Sequence, residues 1–250
     1  MKIIKLNGAQ FELEKARILA VLLEWKAAYD IDIEKIVTKL DLRNSTWLPE
    51  KNSDLLYDWC HSVDNMIKFI IKDSTTYKDK FVFFILVNND KEKKIEGLAI
   101  CLGLRKFNHN AQEYFGMKEG TYFMIDDIII SEPQMFSRYL PEHYNEPQKR
   151  LGEALLQAIV RHVSMLTIPY PIAAQPHYAD ERAHKFFKKY YFIFDYGAMG
   201  HGCILNIADF AKILEAAPVE KTVGNHFSFL KPLIEKPTEN NSISASQQNI

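Results

Sequence analysis

The spacing of apolar residues changes near residue 80, and this change constrains the fold more than any other feature of the sequence. Upstream of it, apolar side chains recur at steps of three, four and seven residues, which is the period of an amphipathic helix. Downstream of it, short aromatic and β-branched runs alternate with turn residues, which is the pattern of strands. Helices followed by mixed strands and helices predict an α/β or α+β fold.

The first 80 residues are predicted to be mainly helical. Helical spacing of apolar side chains predicts helices over about 11–29, 33–40 and 54–70. The third helix is expected to begin at the run Asn52-Ser53-Asp54, because such side chains accept hydrogen bonds from first-turn N–H groups. Residues 1–6 are predicted to form an edge strand that ends in a turn at Asn7-Gly8.

Residues 1–216 are predicted to form a single domain, of which 81–206 is the core. Strands are expected over 81–87 and 95–104, which form a hairpin, and over 121–130, 172–175, 191–196 and 201–206, with helices over 151–163 and 180–190. The loop 131–148 contains three prolines and is interpreted as a candidate functional lid, in which His143 and Tyr144 are available to line an acceptor site. The extension 217–250 is predicted to be largely disordered from about residue 237, because its Ser-, Asn- and Gln-rich end has no apolar period.

Charge and cysteine content restrict the compartment and the partners. The formal net charge is -1, so the sequence predicts no attraction to nucleic acid or to an anionic membrane. The strand aromatics Phe83, Phe84 and Phe123 are interpreted as core rather than as a base-stacking surface. Three separated cysteines in apolar surroundings predict buried, reduced thiols and a cytoplasmic protein. The eight histidines and three cysteines lack the paired spacing of a zinc site, so no metal is predicted.

The clearest chemical signal lies between residues 125 and 156. A predicted strand leads through the loop to a helix start with the sequence Lys149-Arg150-Leu151-Gly152-Glu153-Ala154-Leu155. The first N–H groups of a helix are unpaired, the helix dipole favours negative charge, and a glycine lets an anion approach the backbone. The two cations would add to this attraction. An ordinary helix that follows two basic residues has the same pattern, so both alternatives stay open on this segment alone.

The order of the elements, however, resembles that of the GNAT superfamily of N-acetyltransferases over about residues 80–206. In that family the pyrophosphate loop has the form Q/R-x-x-G-x-G/A, and this chain has Lys149-x-x-Gly152-x-Ala154. The acidic-pair strand 125–130 and the hairpin crossing Ile95-Glu96-Gly97 are also similar. A later family helix reads N-x-x-A-x-x-x-Y-x-x-x-G-F, and its positions are taken here by Asp180, Ala183, Phe187, Tyr191 and Phe192.

This resemblance implies a splayed mixed sheet flanked by helices, with acetyl-CoA bound where two neighbouring strands part. The pantetheine arm would pair with the backbone of Ile128 and Ile130, and the diphosphate would contact the N–H groups of residues 150–155. Because backbone groups make these contacts, Leu151 and Glu153 are expected to vary freely, and Glu153 to face solvent. The implied reaction is direct transfer of an acetyl group to an amine of a small molecule, peptide or protein. Neither the acceptor nor the oligomeric state follows from the sequence.

Direct transfer needs a base for the attacking amine and an acid for the leaving thiolate. Asp126 matches a carboxylate position that serves as the base in some members of the family, and its neighbour Asp127 is expected on the opposite face of the strand, because successive strand residues alternate. His177, just after a predicted short strand, is a further candidate for proton transfer.

The family's usual acid, a tyrosine, is replaced by Phe187. Tyr190 or Tyr191, three and four residues later, is the candidate replacement. Alternatively, the thiolate leaves without the help of an acid. Two other interpretations remain: a GNAT-like module that binds CoA or a protein partner without turnover, and an unrelated α/β interaction protein. The basic helix start favours the first of these two, because an interaction protein has no need of an anion site there.

Overall fold

The computed structural model describes residues 1–39, 50–73, 81–88, 94–106, 120–131, 150–176, 181–194 and 202–215. The candidate residues Lys149, His177 and Asp180 lie outside these ranges. So do His143 and Tyr144, with nearly all of the predicted lid, and the predicted 217–250 extension.

The described strands form one seven-stranded sheet. The strands are β1 (Lys2–Asn7), β2 (Val82–Val87), β3 (Ile95–Lys106), β4 (Thr121–Ile130), β5 (Ile172–Ala174), β6 (Ile193–Phe194) and β7 (Cys203–Leu205). Their spatial order is β1-β2-β3-β4-β5-β7-β6. All neighbours pair antiparallel except β4 and β5, which pair parallel. The predicted α/β class, a mixed sheet flanked by helices, is confirmed.

Helices cover both faces of this sheet. They are α1 (Gly8–Lys39), α2 (Glu50–Lys68), α3 (Leu151–Ser164), α4 (Glu181–Lys189) and α5 (Phe210–Glu215). A π-helical turn, Phe69–Asp73, continues α2, and a 3-10 turn, Ile207–Asp209, precedes α5. None of the described helices is both long and apolar enough to span a membrane.

Two hydrophobic cores lie on the two faces. The first core packs α3, α4 and α5 against one face and includes Phe123, Ile125, Leu155 and Phe187. The second core packs α1 and α2 against the other face and includes Phe11, Trp25, Trp59 and Ile129. The alternation of buried side chains along β2 and β3 supplies both cores from the same strands.

The N-terminal helices differ from the prediction in two ways. The predicted helices over 11–29 and 33–40 are one continuous helix, α1, because no glycine or proline interrupts the chain between them. The predicted turn at Asn7-Gly8 is the start of α1: Asn7 Oδ1 accepts from Gln10 N at 3.0 Å, and Gln10 Oε1 accepts from Asn7 N at 2.9 Å. Helix α2 begins at Glu50, so Asn52-Ser53-Asp54 lies inside it rather than at its cap.

All three cysteines are free, and Cys101 and Cys203 are buried as predicted. Cys60 departs from the prediction because it is only half-buried on α2. Burial raises the pKa of the Cys60 and Cys101 thiols, which keeps both protonated near neutral pH.

Candidate functional site

A gap opens between β4 and β5. The two strands pair only from Phe123 opposite Ile172 to Ile125 opposite Ala174. Strand β5 ends at Ala174, whereas β4 continues to Ile130. The last five residues of β4 extend about 16 Å at the usual rise per residue, and β5 pairs with none of them.

The backbone of β4 presents hydrogen-bonding groups to this gap. In an antiparallel pair, successive residues point their N–H and C=O groups alternately towards and away from the partner strand. Ser131 N donates to Glu96 O on the β3 side at 2.8 Å, and Ile130 lies opposite Gly97 in the register. The backbone groups of Ile128 and Ile130 therefore point away from β3 and into the gap. This is the direction that the predicted contacts with a pantetheine arm require.

Helix α3 runs antiparallel to β4, with its N-terminus at the open end of the gap. Leu155, one turn into α3, packs so closely over Gly97 that a Cβ there would lie 3.1 Å from Leu155 Cδ1. Gly97 is the register partner of Ile130. At the other end of the helix, the His162 ring lies 5.7 Å from that of Phe123. The first turn of α3 is thus beside Ile130, and the strands meet at the far end of the gap.

The free N–H groups of α3 belong to fewer residues than predicted. The N–H of Ala154 already donates to Arg150 O at 3.0 Å, which is the first bond of the helical ladder. No side chain caps the helix at Arg150. An anion at this terminus would therefore contact the N–H groups of residues 150–153, and those of Ala154 and Leu155 serve the helix itself.

The side chains of this turn are less exposed than predicted. Leu151 belongs to the first core and is not free to vary. Glu153, expected to face solvent, is only 5% exposed. Its Oε2 pairs with the Arg150 guanidinium, and among the described residues its Oε1 has no hydrogen-bond partner. The charge of Arg150 is therefore partly neutralised, which the sequence pattern could not indicate.

The Phe186 ring lies next to Gly152, on the side to which a Cβ atom would point. A Cβ built there would lie 3.4 Å from Cε2 of the Phe186 ring on α4, which is an ordinary contact distance. Alanine would fit at this position, whereas a larger side chain would have to displace the Phe186 ring. The glycine thus allows α4 to lie close to the first turn of α3.

Asp126 lies where the two strands separate, and it interrupts the alternation of β4. The register pairs Ile125 with Cys101 and Asp127 with Ile100, which leaves Asp126 as an extra residue, a β-bulge. Ile125 belongs to the first core and Ile128 packs against the same core, so both aspartates lie between two residues of one face. The register places Asp127, opposite Ile100 of the second core, on the face opposite α3. Asp126 is the bulged residue between the two faces, so the simple alternation on which its predicted direction depended does not hold there.

The Asp126 side chain is exposed, yet the protein atoms around it still favour its protonated form. Desolvation raises the pKa of this carboxyl, and Arg105 partly offsets the rise. A carboxylate with a raised pKa is a stronger base than an ordinary surface aspartate.

Tyr190 lies at the opposite end of the gap from Asp126. It is buried in the first core beside Phe186, with ring centroids 5.0 Å apart. Burial, followed by the nearby Glu153 carboxylate, raises the pKa of Tyr190, while Lys189 and Arg150 lower it in part. The described contacts thus place Tyr190 with the first turn of α3 and do not bring it to Asp126.

Tyr191 lies two residues past the end of helix α4 and is, among the described residues, the non-glycine residue with a positive φ, 65°. Phe192 N donates to Phe187 O at 3.1 Å and Tyr191 N to Lys188 O at 3.2 Å, which is a Schellman motif. The Phe187 and Phe192 rings pack with centroids 4.8 Å apart. Tyr191 thus takes the position where the family pattern has glycine, and its exposed ring lies under Lys212.

Trp59 contacts the gap, and this contact was not predicted from the sequence. Its Nε1 donates to Ile130 O at 3.0 Å, from a helix 71 residues away in the chain. In the sequence it is one member of the apolar stripe of α2. A polar atom on an otherwise apolar face was the available signal, but it does not reveal its partner.

The comparisons with known proteins concern the fold. The sequence matches no protein-family model and no curated protein. A structure of AtaTR bound with acetyl-CoA matches 60% of this chain and 85% of its own, with 14% identity and a TM-score of 0.42. AtaT complexed with acetyl-methionyl-tRNAfMet matches 60% and 86%, with 13% identity and a TM-score of 0.41. A KacTA–DNA complex matches 62% and 86%, with 12% identity and a TM-score of 0.41. The predicted mixed sheet flanked by helices is confirmed by the described strands and helices, and similarity at this level assigns neither a family nor a function.

One prediction about partners is corrected. Two of these similar structures contain nucleic acid, a tRNA and a DNA, so the exclusion of nucleic acid as a partner is wrong. The reason is physical: a net charge near zero is an average over the whole chain and does not exclude a local basic surface.

Proposed function

We propose that this protein is an acyltransferase that transfers an acetyl group from acetyl-CoA directly to an amine acceptor. The observation that carries the proposal is the gap between β4 and β5, with backbone groups of β4 that β5 does not pair along one side and a helix N-terminus at its open end. A donor with its diphosphate on the first turn of α3 and its arm along β4 would extend its thioester towards Asp126. The helix N-terminus at one end of the gap would thus meet the diphosphate, and Asp126 at the other end would meet the thioester.

In this proposal Asp126 is the base. The amine nitrogen attacks the thioester carbonyl carbon, and Asp126 accepts the proton that the amine loses. The carbon–sulfur bond then breaks, and the CoA thiolate leaves with the bonding electrons. The raised pKa of Asp126 suits it to this task, and its exposed side chain, where the two strands separate, is accessible to an acceptor.

The thiolate has no acid in the described part of the site. Phe187 is buried in the first core, and Tyr190 lies near the diphosphate end. We propose that Tyr190 donates a hydrogen bond to the donor and that the thiolate takes its proton from water. The lack of an acid in the described part of the site also favours a second candidate function, a CoA-binding module without turnover.

The experiment that tests the proposal measures CoA binding by calorimetry and thiol release from acetyl-CoA. The acceptors would be small amines, peptide amino termini, protein lysines and, since nucleic acid is not excluded, aminoacyl-tRNA. Asp126→Asn should lower kcat by roughly 10²–10⁴-fold and leave CoA affinity unchanged, as expected for a lost general base. Asp127→Asn, one residue away on the same strand, is the matched control.

Each result separates the alternatives. Binding with no thiol release from any acceptor would favour the module without turnover. If the wild type binds no CoA at millimolar concentration, the donor assignment is wrong. Equal losses of kcat in the Asp126 and Asp127 variants would remove Asp126 as the base.

A further inference from the structure

The indole of Trp59 connects the N-terminal helices to the candidate site. Trp59 is only 6% exposed and belongs to the second core. Its Nε1 donates to Ile130 O at 3.0 Å, at the open end of the gap. The contact joins α2, outside the part of the chain that resembles the GNAT pattern, to the strand proposed to bind the donor.

This hydrogen bond fixes one peptide group from both sides. Ile130 O and Ser131 N belong to the same peptide group and point in opposite directions. On one side Ser131 N donates to Glu96 O at 2.8 Å, and on the other side Ile130 O accepts from Trp59. The end of β4 is thereby held although β5 pairs with none of its last five residues.

The same contact decides which backbone groups of β4 remain available to a bound acetyl-CoA. The carbonyl oxygen of Ile130 already accepts a hydrogen bond from Trp59, whereas Ile128 offers both its N–H and its C=O to the gap. Tyr29 stacks on Trp59, with centroids 5.5 Å apart and planes 25° apart, which fixes the plane of the indole. The indole thus closes the edge of β4 beyond Ile130.

We propose that Trp59 is a positioning residue for the pantetheine arm of the donor, an inference that rests on the proposed function. By holding the carbonyl of Ile130, it keeps the edge of β4 straight and directs the arm to Ile128. The arm then starts at the first turn of α3 and reaches Asp126 in a single register. If Trp59 has this role, removing its N–H should weaken the binding of ligands that contain the arm and leave the binding of ligands that lack it unchanged.

The experiment compares two tryptophan variants against two fragments of CoA. Trp59→Phe keeps a smaller aromatic ring to stack on Tyr29 but removes the N–H donor. Trp25→Phe is the matched control, because Trp25 is 2% exposed in the same core and its Nε1 has no hydrogen-bond partner among the described residues. The ligands are S-acetylpantetheine, which carries the arm, and adenosine 3′,5′-bisphosphate, which does not. CoA itself is measured alongside.

Trp59→Phe should weaken S-acetylpantetheine and CoA by roughly three- to tenfold, the effect of one lost hydrogen bond, and leave adenosine 3′,5′-bisphosphate unchanged. Trp25→Phe should change none of the three. Unchanged affinities in Trp59→Phe would overturn the inference, and so would equal losses for both fragments, because a general structural defect would not distinguish them.

A second measurement applies if Trp59→Phe does not fold. The chain has three tryptophans, so its indole N–H spectrum by NMR is simple. S-Acetylpantetheine should shift the Trp59 signal of the wild type and leave that of Trp25 in place; no shift of the Trp59 signal overturns the inference. If the wild type binds neither CoA nor S-acetylpantetheine, the proposed function fails and the inference fails with it. Binding of CoA with no effect of Trp59 overturns the inference alone.

Discussion

The two faces of the sheet are covered by helices of different character. Within the described residues, α1 and α2 bury only apolar and aromatic side chains in the second core, where Phe11 contacts Phe81 and Phe83 with ring centroids 5.2 and 5.0 Å apart. Helix α3 also buries Glu153 and Gln157 in its face and half-buries His162.

Burial of polar groups costs free energy unless they find partners. Gln157 Nε2 has one in Ile213 O at 3.1 Å, whereas one oxygen of Glu153 has none among the described residues. The first face therefore buries ionisable groups, whereas the polar atoms that α1 and α2 bury among the described residues belong to uncharged indoles, one of which, Trp25 Nε1, also has no partner. The candidate site lies at the edge between the two faces.

The largest expected difference between the two faces is a pH dependence of folding stability, which comes from His162 on α3. Burial, followed by the charge of Lys5, lowers the pKa of His162 from 6.5 to about 4. Because the folded pKa is depressed, the folded state binds fewer protons than the unfolded state between these values. Stability is therefore full above pH 6.5 and is lost as pH falls towards 4, with an upper limit of about 3 kcal/mol.

Urea unfolding at pH 7 and pH 5 measures this effect. His162→Leu should remove much of the difference in the free energy of unfolding between the two pH values. His61→Gln, an exposed position on α2, is the control and should leave the difference in place. An unchanged difference in the His162 variant would show that another group carries the pH dependence.

A smaller effect concerns Glu153. Its carboxylate pairs with Arg150 and lies in the turn proposed to bind the diphosphate. Glu153→Gln removes that negative charge and releases Arg150, so CoA affinity by calorimetry should rise roughly two- to fivefold, as expected for a charge-assisted contact. Glu12→Gln on α1 serves as the control. A weaker affinity in Glu153→Gln would mean that the carboxylate organises the site rather than competing with the ligand.

The smallest effect concerns the end of α4. Tyr191 adopts a left-handed conformation that favours glycine, so Tyr191→Gly should raise the free energy of unfolding by up to about 1 kcal/mol. Loss of the contact with Lys212, 5.0 Å from the ring centroid, reduces the gain. Thermal unfolding compared with Tyr191→Ala, which keeps the strain and loses the ring, separates the two contributions. A destabilised glycine variant would show that the ring contact outweighs the strain.

The periodicity of the sequence predicted most of the elements. The strands over 81–87, 95–104 and 121–130 and the helix over 151–163 are present within a few residues of their predicted ends. Local rules also explain the one boundary that was most clearly wrong, at Asn7-Gly8, where Gln10 completes a capping box that the turn interpretation overlooked.

The details of the candidate site were not accessible in the same way. The bulge at Asp126 follows from how β4 pairs with β3, and periodicity along one strand cannot reveal a shift relative to its neighbour. The burial of Glu153 depends on α4 lying across the first turn of α3, and the role of Trp59 depends on a contact between distant parts of the chain. Each of these needed tertiary structure.

The short pairing of β4 with β5 also divides the sheet as a folding unit. Only three residue pairs join the ladder of β1 to β4 with the ladder of β5, β7 and β6. Backbone hydrogen bonds therefore contribute little to the attachment, which depends on the apolar side chains that α3 packs across both parts. Local opening of a protein follows such weak boundaries. A molecule that occupied the gap and bonded to β4 would add the backbone contacts that β5 leaves unmade, so binding and the cooperativity of unfolding would rise together.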